Sequence, residues 1–497
     1  MRPGTKRLLG LCSILSLIAT TGLANAGDLR LIEAIKSRNP AAVRVLIKQH
    51  VDVNAAEGDG ATALHWAVHY DDLATTDLLI RAGARVRAAD DGGVTPLYLA
   101  CTNRNSIIVQ KLLASGADPN GTLLNGETVL MNCSRTGNAA SLKALLAAGA
   151  KVNAKEKSHD QTALMWAAAE AHPEAVRMLL EAGADVRARS RTYAETVTSE
   201  QTQRAGREAL NYTILRGGST SLLFAARVGD VESAKLLLAA GADPNDALPT
   251  GMSALVEAAY SGDAGVATLL LDRGADPNAA AIGYTALHAA VLRSEPNLVK
   301  ALLAHGANPN AVITKGTPIR RNTTDFNLPA TLIGATPYLL AAEFLEADSM
   351  RALVAGGADP SIARKDGTPA IMLAAGVGAV KNSNRRGVAV LDGGKMESET
   401  SLVASVMAAL ELGADVNGVN QAGDTALHAA ASQGYDQVVQ LLVERGAQIN
   451  VKNKRGLTPL ALARGVGQRP GAIGAAVNVS VEHQSTVDLL RRLGATE

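Results

Sequence analysis

"TALHAAASQGYDQVVQLLVERGAQIN", residues 425–450, decides the fold. Thr425 stands immediately before a short apolar stretch, where its hydroxyl can accept from the amides of a first helical turn and so cap a helix. Val438, Val439, Leu441 and Leu442 then recur at the spacing of one face of a second helix. Gly446 follows, the residue type that most readily takes the left-handed conformation ending a helix. The stretch predicts helix, turn, helix, turn. Two helices this short bury little by themselves, so their apolar faces need neighbours.

Those neighbours are written along the chain. "TALHWAV" at 62, "TPLYLAC" at 95, "TVLMNCS" at 128, "TALMWAA" at 162, "TSLLFAA" at 220, "SALVEAA" at 253, "TALHAAV" at 285, "TPYLLAA" at 336 and "TPLALAR" at 458 vary the same heptamer, and "PAIMLAA" at 369 shifts it by one. Thr62, Thr95 and Thr128 stand 33 residues apart, and that period is lengthened by 25, 18 and 23 residues before 220, 336 and 425. Proline, where present, falls in the first turn, which has no use for its missing N–H. Paired small residues let neighbouring helices approach closely, so each unit buries its faces against the next. Composition agrees: aromatics are 3% of a chain that is 47% hydrophobic, as expected of an Ala, Leu and Val core between helices and unlike a sandwich or barrel.

Each heptamer leads to a second motif such as "SAKLLLAAGADPN" (233–245). Together they resemble the ankyrin repeat family, whose pattern is D-x-x-G-x-T-P-L-H-x-A-A followed by L-L-x-x-G-A-D-V-N. The resemblance runs from about residue 28 to 497. It implies an all-α fold, a right-handed solenoid of about twelve helix-turn-helix units with β-hairpin or loop fingers. Residues 27–58 lack the T-P-L-H element but keep "AVRVLIKQHVDVNAAE" and are expected to cap the N-terminal end. Repeats are expected over 59–190, 218–310 and 334–453, with 454–497 as the C-terminal cap. Insertions at 191–217 and 311–333 fall between repeats, where fingers lie, whereas 376–400 and 465–483 separate the two helices of one repeat.

Residues 1–26 read differently. Arg2, Lys6 and Arg7 precede the apolar run "LLGLCSILSLIA", and "ANA" ends at Ala26, the layout of a secretory signal peptide. The expected mature chain starts at Gly27 and is exported, to the periplasm or outside the cell. Without Arg2, Lys6 and Arg7 it carries 45 basic and 47 acidic residues, a net −2. That balance lacks the basic excess of a nucleic-acid binder, and no apolar run reaches the roughly 18 residues of a membrane span.

The expected chemistry is sparse. His65 and His69 stand four apart, a spacing that can begin a zinc site, but the next repeat offers only Thr102, Asn103 and Arg104 at the matching place. The resemblance instead implies that His65, His288 and His428 brace the turn between repeats. No phosphate-binding loop, H-E-x-x-H, G-x-S-x-G or C-x-x-C is present, and no cofactor is expected. Cys101 and Cys133 fill small slots of consecutive first helices; helix spacings of about 8–10 Å suggest free thiols. Trp66 and Trp166 occupy a Leu slot and are expected in the core. The residues after the Ala pair, His69, Tyr70, Asn103, Arg135, Glu170, Arg227, Tyr260, Arg293, Glu343 and Phe344, are expected to line the concave face. Aromatic and arginine side chains there suit protein binding. The expected function is a non-catalytic, monomeric scaffold for an unidentified partner protein. Two alternatives remain: an enzyme or ligand-binding protein whose insertions bring together groups such as Glu195, Glu200, Asp325 and Glu397, and an exported effector acting on host proteins.

Overall fold

A computed structural model describes residues 28–198, 211–316, 332–376, 399–466 and 482–496. The expected signal segment 1–26 and most of the inserted stretches lie outside these residues. The described residues hold 24 helices and one two-stranded sheet, so the expected all-α helix-turn-helix fold is what forms. The chain divides into two compact units, Met1–Leu124 and Asn125–Glu497.

Both units are built the same way. In the N-terminal unit the first helices Arg30–Lys36, Ala63–His69 and Pro96–Thr102 lie side by side, each followed by a second helix, Pro40–Lys48, Leu73–Arg81 and Ser106–Ala114. In the C-terminal unit the row of first helices begins Val129–Thr136, Ala163–Ala169, Ser221–Val228, Ala254–Ser261 and Ala286–Leu292, and ends at Pro459–Ala463. Thr or Ser starts most of them: Thr95 accepts from the Tyr98 amide at 3.2 Å and Ser253 from that of Val256 at 3.2 Å. The second helices carry caps of their own, Asp72 accepting from Thr75 and Asn138 from Ser141. The Ala pairs 167/168, 225/226, 258/259, 289/290 and 341/342 are fully buried, as are leucines of most second helices (Leu79, Leu112, Leu145, Leu237, Leu270 and Leu302 among them). Side chains this small or regular let helix rows pack without large voids.

Two polar devices tie repeat to repeat. The first is the histidine brace. His65 Nδ1 accepts from the Thr62 amide at 3.1 Å, which leaves Nε2 to donate to the Val94 carbonyl of the next repeat at 3.0 Å. His428 does the same with Thr425 and Leu457. His288 keeps the Thr285 half, and its ring interacts with the backbone of Ala335 and Ala311, but its buried Nε2 makes no hydrogen bond of ordinary geometry with a described residue. The second device is an asparagine at the end of the G-A-D-x-N motif. Asn278 Nδ2 donates to the Gly306 carbonyl (3.0 Å) while its Oδ1 accepts from the Asn308 amide (2.7 Å). Asn54, Asn153, Asn245, Asn310, Asn417 and Asn450 bridge in the same way. Finger tips add backbone links, such as Asp91 N–H to Asp59 O at 2.8 Å and Lys454 N–H to Ala422 O at 2.9 Å.

Two results correct the sequence reading. Cys101 and Cys133 are fully buried, and each is disulfide-bonded rather than free. The 8–10 Å rule measures the distance between helix axes and not between Cα atoms, so it excluded less than it was used to exclude. Trp66 and Trp166 are half-buried instead of core residues.

Two outcomes follow from the polar devices. Asn278→Ala removes both bridging bonds and is expected to cost about 1–2 kcal/mol, with the Asn308 amide losing protection in hydrogen exchange; an unchanged exchange rate there would refute the bridge. Burial pushes His288 from 6.5 down to about 4. The folded protein therefore favours the neutral ring while the unfolded chain takes up the proton, so the His288 contribution is complete above about pH 6.5 and is lost as pH falls toward 4. Unfolding midpoints followed by circular dichroism should drop more steeply across that window in the wild type than in His288→Gln; parallel curves would place the linkage elsewhere.

Candidate functional site

On each first helix, the fifth and eighth positions counted from the capping Thr or Ser point the same way, as i, i+3 neighbours do. In the N-terminal unit these are Trp66 and His69, whose rings meet edge-on with centroids 5.5 Å apart. Tyr70 joins them, 5.8 Å from Trp66 and 5.2 Å from His69. Lys36 sits 4.0 Å over the indole and Arg38 5.0 Å over the phenol, cation–π contacts that hold the rings in place. Trp66 Nε1 donates to Glu57 Oε2 at 2.7 Å, and Glu57 also pairs with Lys36. His69 is exposed. Asn103 is turned inward: its amide donates to the carbonyls of Val68 (2.6 Å) and His69 (3.2 Å) and so braces the end of the preceding first helix.

In the C-terminal unit the fifth, eighth and, for Arg293, ninth positions form a run of arginines and rings. Arg135 donates to Asn132 Oδ1 at 2.9 Å and lies 5.1 Å from the Trp166 ring centre in the next repeat. Arg227 lies 5.7 Å from Phe224 and donates to Glu257 Oε1 of the following repeat at 2.6 Å. Arg293 lies 5.9 Å from Tyr260 and donates to the Ser261 carbonyl at 3.0 Å. The exposures differ in a telling way. Arg135 and Arg227 side chains are 38% and 46% exposed, whereas their acidic neighbours Glu127 and Glu257 are 8% and 7% exposed. Carboxylates sit behind and guanidinium groups in front. Glu170 is exposed, and with Gln161, Met165, Trp166, Ala169 and Phe224 it lines a small pocket of about 160 Å³.

Two of the expected contact residues lie farther along. Phe344 is partly exposed, but Glu343 pairs with Arg364, both side chains being mostly buried at 11% and 17% exposure. Burial pushes the Glu343 carboxyl up, with Arg364 pulling it back. Little of Glu343 remains for a partner. Of the residues considered for an insertion-built site, Glu195 pairs with Arg216 across the hairpin formed by Tyr193–Thr198 and Asn211–Arg216. Glu200, Asp325 and Glu397 lie outside the described residues. Both His65 ring nitrogens are engaged within the fold, so it cannot join His69 on a metal. Among the described residues, no group of three or more His, Cys, Asp or Glu is placed to hold one, and no helix is long and apolar enough to cross a membrane.

Sequence reasoning found the exposed eighth and ninth positions but missed the fifth. Trp166 and Phe224 stand at the variable fifth position of the heptamer, which leucine fills at 99 and 340. Their bulk was the available signal, because side chains this large are rarely enclosed completely between close helices.

Comparison with known proteins gives the following. Sequence models described as ankyrin repeats match residues 31–122, 106–190 and 222–313, and others with the same description match 164–238 and 407–463. The human protein Ankyrin repeat and SOCS box protein 18 is 44% identical over 68 residues, 14% of this chain and 15% of that one. The mouse Protein phosphatase 1 regulatory subunit 12A is 30% identical over 115 residues, 23% of this chain and 10% of that one. The chain thus spans less than a sixth of either relative's length. The crystal structure of the human ASB11 ankyrin repeat domain aligns with a TM-score of 0.40 at 26% identity, covering 50% of this chain and 98% of that one.

Removing Arg364 leaves Glu343 buried without its ion-pair partner. Arg364→Ala is expected to cost about 3 kcal/mol in chemical denaturation, and adding Glu343→Leu should recover most of it; additive losses in the double variant would show that the pair is not coupled.

Proposed function

The chain belongs to the ankyrin repeat family, and from that premise we propose that it is a non-catalytic scaffold that binds another protein along the exposed face of its first helices. The fingers and inserted stretches extend that surface. The observation that carries this reading is the run Arg135, Trp166, Phe224, Arg227, Tyr260 and Arg293, in which a guanidinium group from every second repeat lies against a ring. Arginine and large aromatics are the residue types that dominate binding energy at interfaces. Here they are already held by internal partners, so binding loses little side-chain entropy. His69, Tyr70 and Phe344 present further ring surface, and Glu170 adds an exposed carboxylate.

Export is part of the proposal. Its supports are the basic and apolar pattern of residues 1–26 and the disulfide-bonded state of Cys101 and Cys133, a state that persists in oxidising compartments.

One experiment addresses both points. Affinity capture from the exported fraction is expected to recover the chain beginning at Gly27 together with a bound protein. Arg227→Glu and Arg293→Glu combined with Tyr260→Ala should lower recovery of that protein by about tenfold or more. Undiminished recovery would refute the proposed face, and a chain found only in the cytosolic fraction with Met1 intact would refute export.

A further inference from the structure

We infer that the pocket between Trp166 and Phe224 seats a single apolar side chain from an acidic segment of the partner. This rests on the binding reading above and specifies the chemistry of what is bound. At about 160 Å³ the pocket falls below the roughly 300–1,000 Å³ of small-molecule sites, so it fits one side chain. Its walls are apolar: Met165, Trp166, Ala169 and Phe224, with Gln161 and Glu170 at the rim. Arg135 stands over the Trp166 ring on one side and Arg227 beside the Phe224 ring on the other. Because Glu127 and Glu257 lie buried behind these arginines, the groups offered to a visitor on either side are cations. Glu170 is the one acidic residue among those lining the pocket. The balance favours an occupant with carboxylates flanking its apolar group.

A second observation points the same way. Trp66, at the same position of an earlier repeat, donates Nε1 to Glu57. Trp166 Nε1 is shielded from solvent yet has no acceptor among the described residues. The Glu156 carboxylate, in the finger before it, is taken by the amides of Ser158, His159 and Gln161 at 2.6, 2.6 and 3.1 Å. A buried donor left unpaired is destabilising, and an occupant that brings an acceptor beside its apolar group relieves it.

The test uses the full mature chain carrying Trp66→Phe. The sequence has two tryptophans, so Trp166 becomes the only reporter. Three end-blocked peptides serve as probes: Asp-Glu-Phe-Glu-Asp, Asp-Glu-Ser-Glu-Asp and Lys-Lys-Phe-Lys-Lys. The first should change Trp166 emission saturably, and the other two should bind about tenfold more weakly or not at all. Ala169→Phe, which fills the pocket from a partly exposed helix position, should weaken the first peptide by about tenfold, as should Phe224→Ala, with circular dichroism confirming that each variant is folded. Equal responses to all three peptides, no response to the first, or binding untouched by Ala169→Phe would overturn the inference. Its failure is separable from that of the wider reading. If the captured protein still binds Ala169→Phe but not the Arg227, Arg293 and Tyr260 variant, the face stands and the pocket does not.

Discussion

Among the described residues, seven repeats are each completed by an asparagine that belongs to the repeat before. One amide side chain satisfies the carbonyl of the glycine ending the next second helix and, through its oxygen, the backbone amide two residues beyond. That glycine takes a left-handed conformation, as Gly306 does at φ 84°, where the ordinary helical ladder has run out and a carbonyl is left without a partner. Asn278 supplies the missing donor from outside the unit. Helix packing alone would leave neighbouring pairs free to slide. With the turn pinned, and the histidine brace added at His65 and His428, the first helices are held at a fixed offset, and so are the side chains they display.

Sequence and structure agree where the determinant is local. A capping threonine, a left-handed glycine and an alanine pair each act within a few residues, so a heptamer and a period are enough to read them. The asparagine bridges belong to the same motif, yet their role was hidden because the bonded partners lie about thirty residues away and nothing nearby marks them. The same blindness affected the candidate site. Exposure of His69, Glu170 and Arg227 follows from helix phase. That Asn103 reaches back 35 residues to Val68, or that Glu343 meets Arg364 from 21 residues on, does not. Trp166 failed for a different reason: the pattern leaves that position open, and an indole there exceeds what closely packed helices enclose.

The electrostatics of the C-terminal unit are arranged in depth rather than across the surface. An arginine stretched freely into water gains little from an ion pair and loses conformational entropy in making one. Arg227 avoids much of that loss because Glu257 is nearly buried and accepts from Nε at 2.6 Å. The outer edge of the guanidinium stays available. Charge that looks balanced in composition is therefore directional in space, and a near-neutral chain can present a cationic face.

Two of the insertions, 311–333 and 465–483, leave this framework undisturbed. Asn278 reaches a carbonyl 28 residues on, but Asn310 reaches Gly357 at a separation of 47 and Asn450 reaches Gly494 at 44, with the same two-bond geometry. What passes from one repeat to the next is a position in space, not a count along the chain. Residues can thus be gained or lost at these places as cargo on a rail whose gauge does not change, and variation in what the protein carries is uncoupled from the spacing at which it carries it.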